Sequence, residues 1–262
     1  MISTIWNLVL VTPLLNILLF FYRVLGGNLG VAIIALSLLV KGLSAPFMHS
    51  SLKLAQKQKE IMPELDKLKK KYGHDKKVLA EKQMALYKTL GINPASGCLT
   101  QIFPILVIFA LFSVINLTTG THAISSGDLN PRLYSDFLRI PENHKINSNF
   151  LYLDLAKKDP LFILPVLAAL FQFLTSKMMM PDVKKEEEIA KKTSDSTDDV
   201  MYNMQEQMLY TMPIVFLIVG LNLPSGVVLN ILVTTLFSIV QQYYVSGLGG
   251  LAPLARKIGL KV

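Results

Sequence analysis

The stretch LGVAIIALSLLVKGLSAPFM, Leu29–Met48, is apolar at almost every position, yet it carries a lysine, Lys41, well inside. About 20 apolar residues span the ~30 Å hydrocarbon core of a bilayer, so this stretch is long enough to cross. A lysine centred in such a run costs about 2.5–3.5 kcal/mol on insertion scales and needs a reason. Further apolar runs lie outward from it at Cys98–Leu117, Leu161–Met180 and Met208–Val245. The last is too long for one crossing, and Asn222, Pro224, Ser225 and Gly226 at its middle mark a tight turn between two helices. A chain with 52% hydrophobic and 17% charged residues is polytopic with polar loops rather than a soluble globule. The fold class read from this pattern is an all-α membrane protein. It has five transmembrane helices, an amino-terminal interfacial helix and a cytoplasmic helical hairpin.

The organisation follows in chain order. Residues 1–27 form the interfacial helix on the outer side, and 28–49 the first transmembrane helix. Residues 50–96 form the cytoplasmic hairpin, 97–117 a transmembrane helix, 118–160 an outer loop and 161–180 a third transmembrane helix. A cytoplasmic loop, 181–207, precedes the transmembrane hairpin 208–245 and the cytoplasmic tail 246–262. The run Ile2–Tyr22 is apolar, but no Lys or Arg precedes it and no small-residue cleavage site follows, so a signal peptide is not expected. Pro13 and Asn16 interrupt it, and Trp6, Tyr22, Arg23 and the polar break Gly26–Asn28 suit a helix lying in the interface. A sixth span is the competing reading.

Basic residues set the orientation, because Lys and Arg in short loops stay on the cytoplasmic side. Eleven lysines between Lys53 and Lys88 place Ser50–Ser96 inside. Between Thr118 and Pro160, Arg132, Arg139, Lys145, Lys157 and Lys158 are balanced by Asp128, Asp136, Glu142, Asp154 and Asp159, which suits the outside. With five spans the amino end is outside, and the carboxyl end, with Arg256, Lys257 and Lys261, is cytoplasmic. The net charge of +8 is accounted for by this topology, and the basic residues carry no regularly spaced stacking aromatics, so direct nucleic-acid binding is not expected.

Within the inner segment, Ile61, Leu65, Leu68 and Tyr72 recur at helical spacing, and Leu79, Leu86 and Leu90 do so again. Gly73 in a left-handed conformation would end the first arm, Asp75 would cap the second, and Gly91 with Pro94 would end that one. Each arm would reach about 25 to 30 Å at ~1.5 Å per residue. An amphipathic linker touching headgroups and a partner-docking hairpin both fit this pattern. The loop 181–207 is charge-rich and reads as mobile. Met201, Met204, Met208 and Met212 form a stripe that either adapts to apolar partners or is simply lipid-facing or packed. Cys98 is the only cysteine, so no intrachain disulfide is available.

Several polar residues lie inside the spans with Lys41: Thr100 and Gln101, Gln172 and Thr175, and Asn230, Thr234, Ser238 and Gln241. Spacings of four, four and three put the last set on one helix face. Together these groups could wet a cavity around Lys41, or they could serve helix-to-helix hydrogen bonding while Lys41 snorkels to the headgroups. The chain has no Gly-rich nucleotide loop, no His-Glu-x-x-His and no triad at one membrane depth, and its four histidines are scattered. No Asp or Glu lies in a span, where ion-coupled carriers need one. An enzyme, a metal site and a cofactor are therefore not expected, and a binding or insertion role fits better.

The run Leu38–Pro46 resembles the first span of the YidC/Oxa membrane protein insertases, in which the intramembrane cation is typically arginine. The resemblance continues through Met62, Pro63, Glu64 and Leu65, then Lys70, Lys71 and Tyr72, Leu86 and Tyr87, and Gly91–Pro94 before Gly97–Leu99. It resumes at Leu164 and Pro165, Lys177 and Met178, Leu223–Gly226, and Gln241 with Gln242. Each motif is weak alone, but the collinear set is specific. The resemblance implies a bacterial insertase of the plasma membrane whose spans enclose a hydrophilic groove open to the cytosol and to lipid. Lys41 would take the place of the groove cation, with Gln172 or Thr175 facing it. The hairpin residues Met62, Pro63, Leu65, Tyr72 and Tyr87 would belong to the element that receives substrates. The implied partners are nascent membrane proteins and the lipid bilayer, with a ribosome and a secretion channel as further candidates. Three departures stand out: Lys41 replaces arginine, Asn230 and Ile231 stand where the family often has an aromatic pair, and Thr100 replaces a frequent proline. The tail after Gln242 is short and mildly basic, so ribosome contact would fall to the hairpin or the second inner loop. The alternative from another class is a small-solute or lipid transporter that binds an anion at Lys41, and a third reading is a scaffold subunit indifferent to Lys41.

Overall fold

A computed structural model of the chain describes residues 2–60, 64, 67–68, 71–90, 94–119, 125–141, 146–179 and 198–257. Helix α1 (Ile2–Trp6) runs through a π-helical stretch (Asn7–Val11) into α2 (Thr12–Val24). Then come α3 (Leu29–Glu60), α4 (Lys76–Thr89), α5 (Pro94–Thr118) and the short α6 (Ser126–Leu129). A two-stranded antiparallel turn pairs Asn149 with Asp154 and Phe150 with Leu153. It leads into α7 (Ile163–Met179), α8 (Asp198–Asn222), α9 (Ser225–Ser246) and α10 (Ala252–Lys257). The chain is an all-α membrane protein. Among the described residues three helices are long and apolar enough to cross a membrane (Ser3–Val24, Leu29–Pro46 and Ser225–Val245), and Ile105–Thr118, Ile163–Met179 and Leu209–Asn222 are shorter apolar helices.

The molecule divides into two compact units. Unit 1 comprises Met1–Leu43, Pro104–Phe173 and Met212–Ser238. It holds an apolar core to which α2 contributes Leu15, Leu18 and Leu19, α3 Leu29 and Ile33, α5 Leu111 and Ile115, the segment between α5 and α7 Leu153 and Leu155, and α9 Val227 and Val228. The buried positions of the first helix, Val11, Leu14, Leu15, Leu18, Leu19 and Tyr22, repeat at three and four, which gives one packed stripe, while Ile5, Leu8, Val9 and Phe20 are exposed. Leucine packed on leucine gains little over lipid inside a bilayer, so close backbone approaches and hydrogen bonds must supply the specificity. Glycines provide the approaches. A Cβ on Gly30 would fall within the Phe150 ring, one on Gly220 would come 3.2 Å from Pro165 Cβ, and one on Gly226 would lie 3.0 Å from both Ile115 Cδ1 and the Leu155 carbonyl oxygen.

Hydrogen bonds tie the segment between α5 and α7 to the helix ends. Asn16, buried on α2, donates to the carbonyl of Arg132 (3.0 Å) and accepts from the amide of Tyr134 (2.7 Å). The Tyr22 hydroxyl accepts from the amide of Asn147 at 3.0 Å, and Arg23 donates to the carbonyl of Arg139. The chain reverses between α8 and α9 at Leu223 and Pro224. There the Ser225 amide donates to the Lys157 carbonyl (2.7 Å) and the Gly226 amide to the Leu155 carbonyl (3.0 Å). The fully buried Ser225 hydroxyl shares its proton between the carbonyls of Asp154 (2.8 Å) and Lys157 (2.7 Å). Asp159 is buried as well. It accepts from the Leu164 amide at 2.7 Å, and so occupies the start of α7, where unpaired amides and the helix dipole favour a carboxylate.

The carboxyl of Asp154 is set against burial, which alone would raise it. Hydrogen bonds from Lys157, Ser148 and the Ala156 amide hold it below its ordinary value. The folded carboxyl therefore ionises more readily than the unfolded one. Its contribution is complete above the ordinary carboxylate range, near pH 4, and is lost as pH falls through the folded value. Acidification through the folded value is expected to speed amide exchange at Ser225 and Gly226, whose acceptors Lys157 and Leu155 follow Asp154 closely in the chain, relative to amides in the middle of α5. Unchanged relative rates would remove Asp154 from the support of this turn.

Unit 2 comprises Ser44–Phe103, Leu174–Thr211 and Ile239–Val262. Asp75 accepts from the amides of Lys77 (3.0 Å) and Val78 (3.2 Å), capping α4. Gly73 is not among the glycines with positive φ; an Asp75 amide to Tyr72 carbonyl bond of 3.0 Å closes this turn instead, so the expected left-handed glycine is corrected. With 14 residues α4 reaches about 21 Å, short of the expected 25 to 30 Å. Asp75→Ala is expected to cost about 0.5–2 kcal/mol of local helix stability, read as faster amide exchange at Lys77 and Val78. No helix break separates residues 49 and 50, since α3 runs on to Glu60 with Pro46 inside it.

Candidate functional site

Helices α3 and α9 place a ladder of polar groups between them in unit 1, with Ser37 and Asn230 buried and Lys41, Thr234 and Ser238 half-buried. Ser37 and Lys41 are one turn apart on α3; Asn230, Thr234 and Ser238 repeat every four residues on α9 and so share its face. The Asn230 side-chain amide donates to Ser37 Oγ at 2.6 Å, and the Ser37 hydroxyl donates to the Ile33 carbonyl at 2.6 Å. One turn on, the Lys41 ammonium donates to Ser238 Oγ at 2.8 Å. Ser238 in turn donates to the Thr234 carbonyl (2.8 Å), and Thr234 Oγ1 to that of Asn230 (2.8 Å). The serine thus has its proton directed into its own helix and presents a lone pair to the ammonium. Lys41 is half-buried and forms no ion pair among the described residues. Two of its three N–H donors remain for another acceptor. The side-chain oxygen of Asn230, Oδ1, is buried without a hydrogen-bond partner among the described residues.

The other expected groove residues behave differently. Gln241, in unit 2, donates to the Ala45 carbonyl at 3.2 Å, which is helix-to-helix bonding. Gln172 and Thr175 are half-buried on α7, and among the described residues Gln172 makes no hydrogen bond. Thr100 and Gln101 lie on α5, but their side chains fall outside the described residues, as do Met62, Pro63 and Leu65 and the side chains of Met201, Met204 and Met208. Tyr72 is half-buried with the Lys71 ammonium 5.4 Å above its ring, and Tyr87 is half-buried on α4. Asn230 and Ile231 are core residues at 2% and 3% exposure, so neither forms part of a lipid-facing surface.

Ser37 lies one turn before Lys41, and that spacing is the one sign in the sequence of its place on the ladder. Asn16 interrupts an apolar run in sequence, and in the fold it bonds α2 to the segment between α5 and α7. Asp159 was read as one of several balancing charges. Its place four residues before α7 was the available sign of a cap.

An all-helical membrane protein with a lysine held on a polar ladder inside its bundle defines the class. Comparison with known proteins narrows it. The chain matches the family described as 60Kd inner membrane protein over residues 20–248. It is 32% identical over 219 residues to the membrane protein insertase YidC of Fusobacterium nucleatum, covering 84% of this chain and 86% of that protein. It is 30% identical over 243 residues to that of Geobacter sulfurreducens, covering 92% of this chain but 38% of the relative. To that of Maridesulfovibrio salexigens it is 32% identical over 239 residues, covering 91% of this chain and again 38% of the relative. The chain thus spans less than two fifths of the length of the latter two relatives. It belongs to the YidC/Oxa family of membrane proteins.

Proposed function

We propose that the chain is a membrane protein insertase. It receives a nascent hydrophobic segment from the cytosol, accommodates the polar flank of that segment beside Lys41, and releases the apolar part into lipid. The observation that carries this reading is the Lys41 ammonium, engaged by Ser238 alone and with no carboxylate beside it among the described residues. A purely structural intramembrane cation is normally paired, whereas an unpaired one with free donors suits an acidic group that arrives and leaves. Transfer of the apolar segment into lipid supplies driving force, as does the membrane potential, worth about 2.3 kcal/mol per charge per 100 mV. The relatives' names support this reading and lend nothing to the small-solute or lipid transporter.

The topology proposed with it has five spans in a bacterial plasma membrane, the amino end outside and the carboxyl end cytoplasmic. The contacts of α2 support an interfacial position for that helix. Asn16, Tyr22 and Arg23 all bond backbone groups, those of Arg132, Tyr134, Asn147 and Arg139, and such irregular backbone is unfavourable deep in lipid. Nascent membrane proteins are the proposed clients, and the ribosome and a secretion channel the proposed further partners through 50–96 and 181–207.

The test uses purified full-length protein in liposomes and a single-span client with a short acidic outer tail. Protease protection of the tail, with crosslinks from positions next to Lys41 to the client, is the expected result. No insertion, in liposomes that support a known insertase, together with saturable anion binding would overturn the proposal.

A further inference from the structure

Large apolar side chains crowd the exposed surface of the segment that precedes α7. Leu151, at the tip of the two-stranded turn, is 85% exposed, Leu161 is 61% exposed and Phe162 is 52% exposed. Leu151 and Phe162 are also the only described non-glycine residues with positive φ, 55° and 57°. Glycine or asparagine would make such turns with less strain, so the turns themselves do not call for these side chains. In water this combination is doubly unfavourable, because strain presents apolar surface to solvent.

Depth and continuity identify what covers it. The Phe150 ring lies against Gly30 at the start of α3, and the Leu155 carbonyl accepts from Gly226 at the start of α9. The tip is therefore held level with the ends of membrane helices. After Leu161 and Phe162, α7 exposes Ile163, Val166 and Leu170, spaced three and four apart and so on one face. The 17 residues of α7 rise about 25 Å, less than the ~30 Å hydrocarbon core, and Leu161 and Phe162 extend its apolar length. Tyr152, part exposed, donates its hydroxyl to Asp159 and presents the amphipathic ring favoured at interfaces.

We propose that this segment is a lipid-binding element in its own right, with Leu151, Leu161 and Phe162 inserted into the leaflet on their side of the membrane. This rests on the chain being a membrane protein and not on insertase activity, so each can fail without the other.

The experiment places a nitroxide at Leu151→Cys or Leu161→Cys, with Asp128→Cys as an exposed polar reference, each in full-length protein carrying Cys98→Ser. The protein is reconstituted in phosphatidylethanolamine–phosphatidylglycerol vesicles, and power saturation compares collision with oxygen against collision with a water-soluble nickel chelate. The expected result is an oxygen-to-nickel ratio several-fold higher at 151 and 161 than at 128. Leu161 already falls in the expected third span, so Leu151 decides: nickel access at 151 equal to that at 128 would overturn the proposal and leave the patch for a protein partner. Leu151→Trp in a Trp6→Phe background gives a second reading: quenching by brominated lipid is expected, and its absence counts against insertion.

Discussion

Lys41→Ala is expected to lower insertion of the acidic-tailed client about tenfold or more, while Lys41→Arg stays within about threefold of wild type. A hydrogen bond to a charged partner contributes about 1.5–3 kcal/mol, and every 1.4 kcal/mol is a factor of ten. Removing the ammonium also frees Ser238, whose proton is already directed to Thr234, so the ladder keeps its shape and the loss reports on the charge. Arginine keeps the charge and adds donors, and the cost of Lys41→Arg lies in fitting a planar fork against one serine. A client with a neutral tail is the control and should be nearly indifferent to Lys41→Ala. Equal loss for both clients would mean that the lysine supports the bundle rather than the cargo. No loss for either would make it a snorkelling residue.

Gly30→Ala should be the most destabilising single methyl in the described core. A Cβ there meets the Phe150 ring at its base and not at a flexible tip, so the ring, and the strand that carries it, must move off α3. Overpacking of this kind costs about 1–3 kcal/mol. Adding Phe150→Ala should return part of it, because the second change removes the obstacle; the pair are in contact and are expected to be strongly non-additive. Thermal unfolding in detergent of the two single variants and the double variant measures the coupling. Additive losses would mean that the ring does not pack on this glycine.

What could be read from the chain alone was whatever depends on near neighbours. Apolar run length gave the helices, and spacing of four put Asn230, Thr234 and Ser238 on one face, with Lys41 conspicuous by its charge. Asp75 was readable as a cap because a cap acts on the next two or three residues. The partner of that face was not readable. Ser37 and Asn230 are 193 residues apart, and although Ser37 stands one turn before Lys41, nothing local names Asn230 as its partner. The same holds for Ser225, whose acceptors lie 71 and 68 residues away, and for Asn16, 116 residues from Arg132. Gly73 went astray for a different reason: glycine permits positive φ but does not require it, and a tyrosine carbonyl closed that turn without it.

The turn at Ser225 and Gly226 has a bearing on how the chain acquires its own arrangement. Its donors are made last, and their acceptors at Asp154, Leu155 and Lys157 long before, with α7 and α8 between them. The two sites can meet only if the intervening helices make an out-and-back pair. A molecule in which the two sites fail to meet leaves the Ser225 and Gly226 amides, the Ser225 hydroxyl and the carbonyls of Asp154, Leu155 and Lys157 without these partners, and a buried polar group left unpaired costs about 1–3 kcal/mol. The turn therefore acts as a clasp on the whole stretch between its two sides: it closes only on a molecule in which α7 and α8 have returned the chain to the level from which it left.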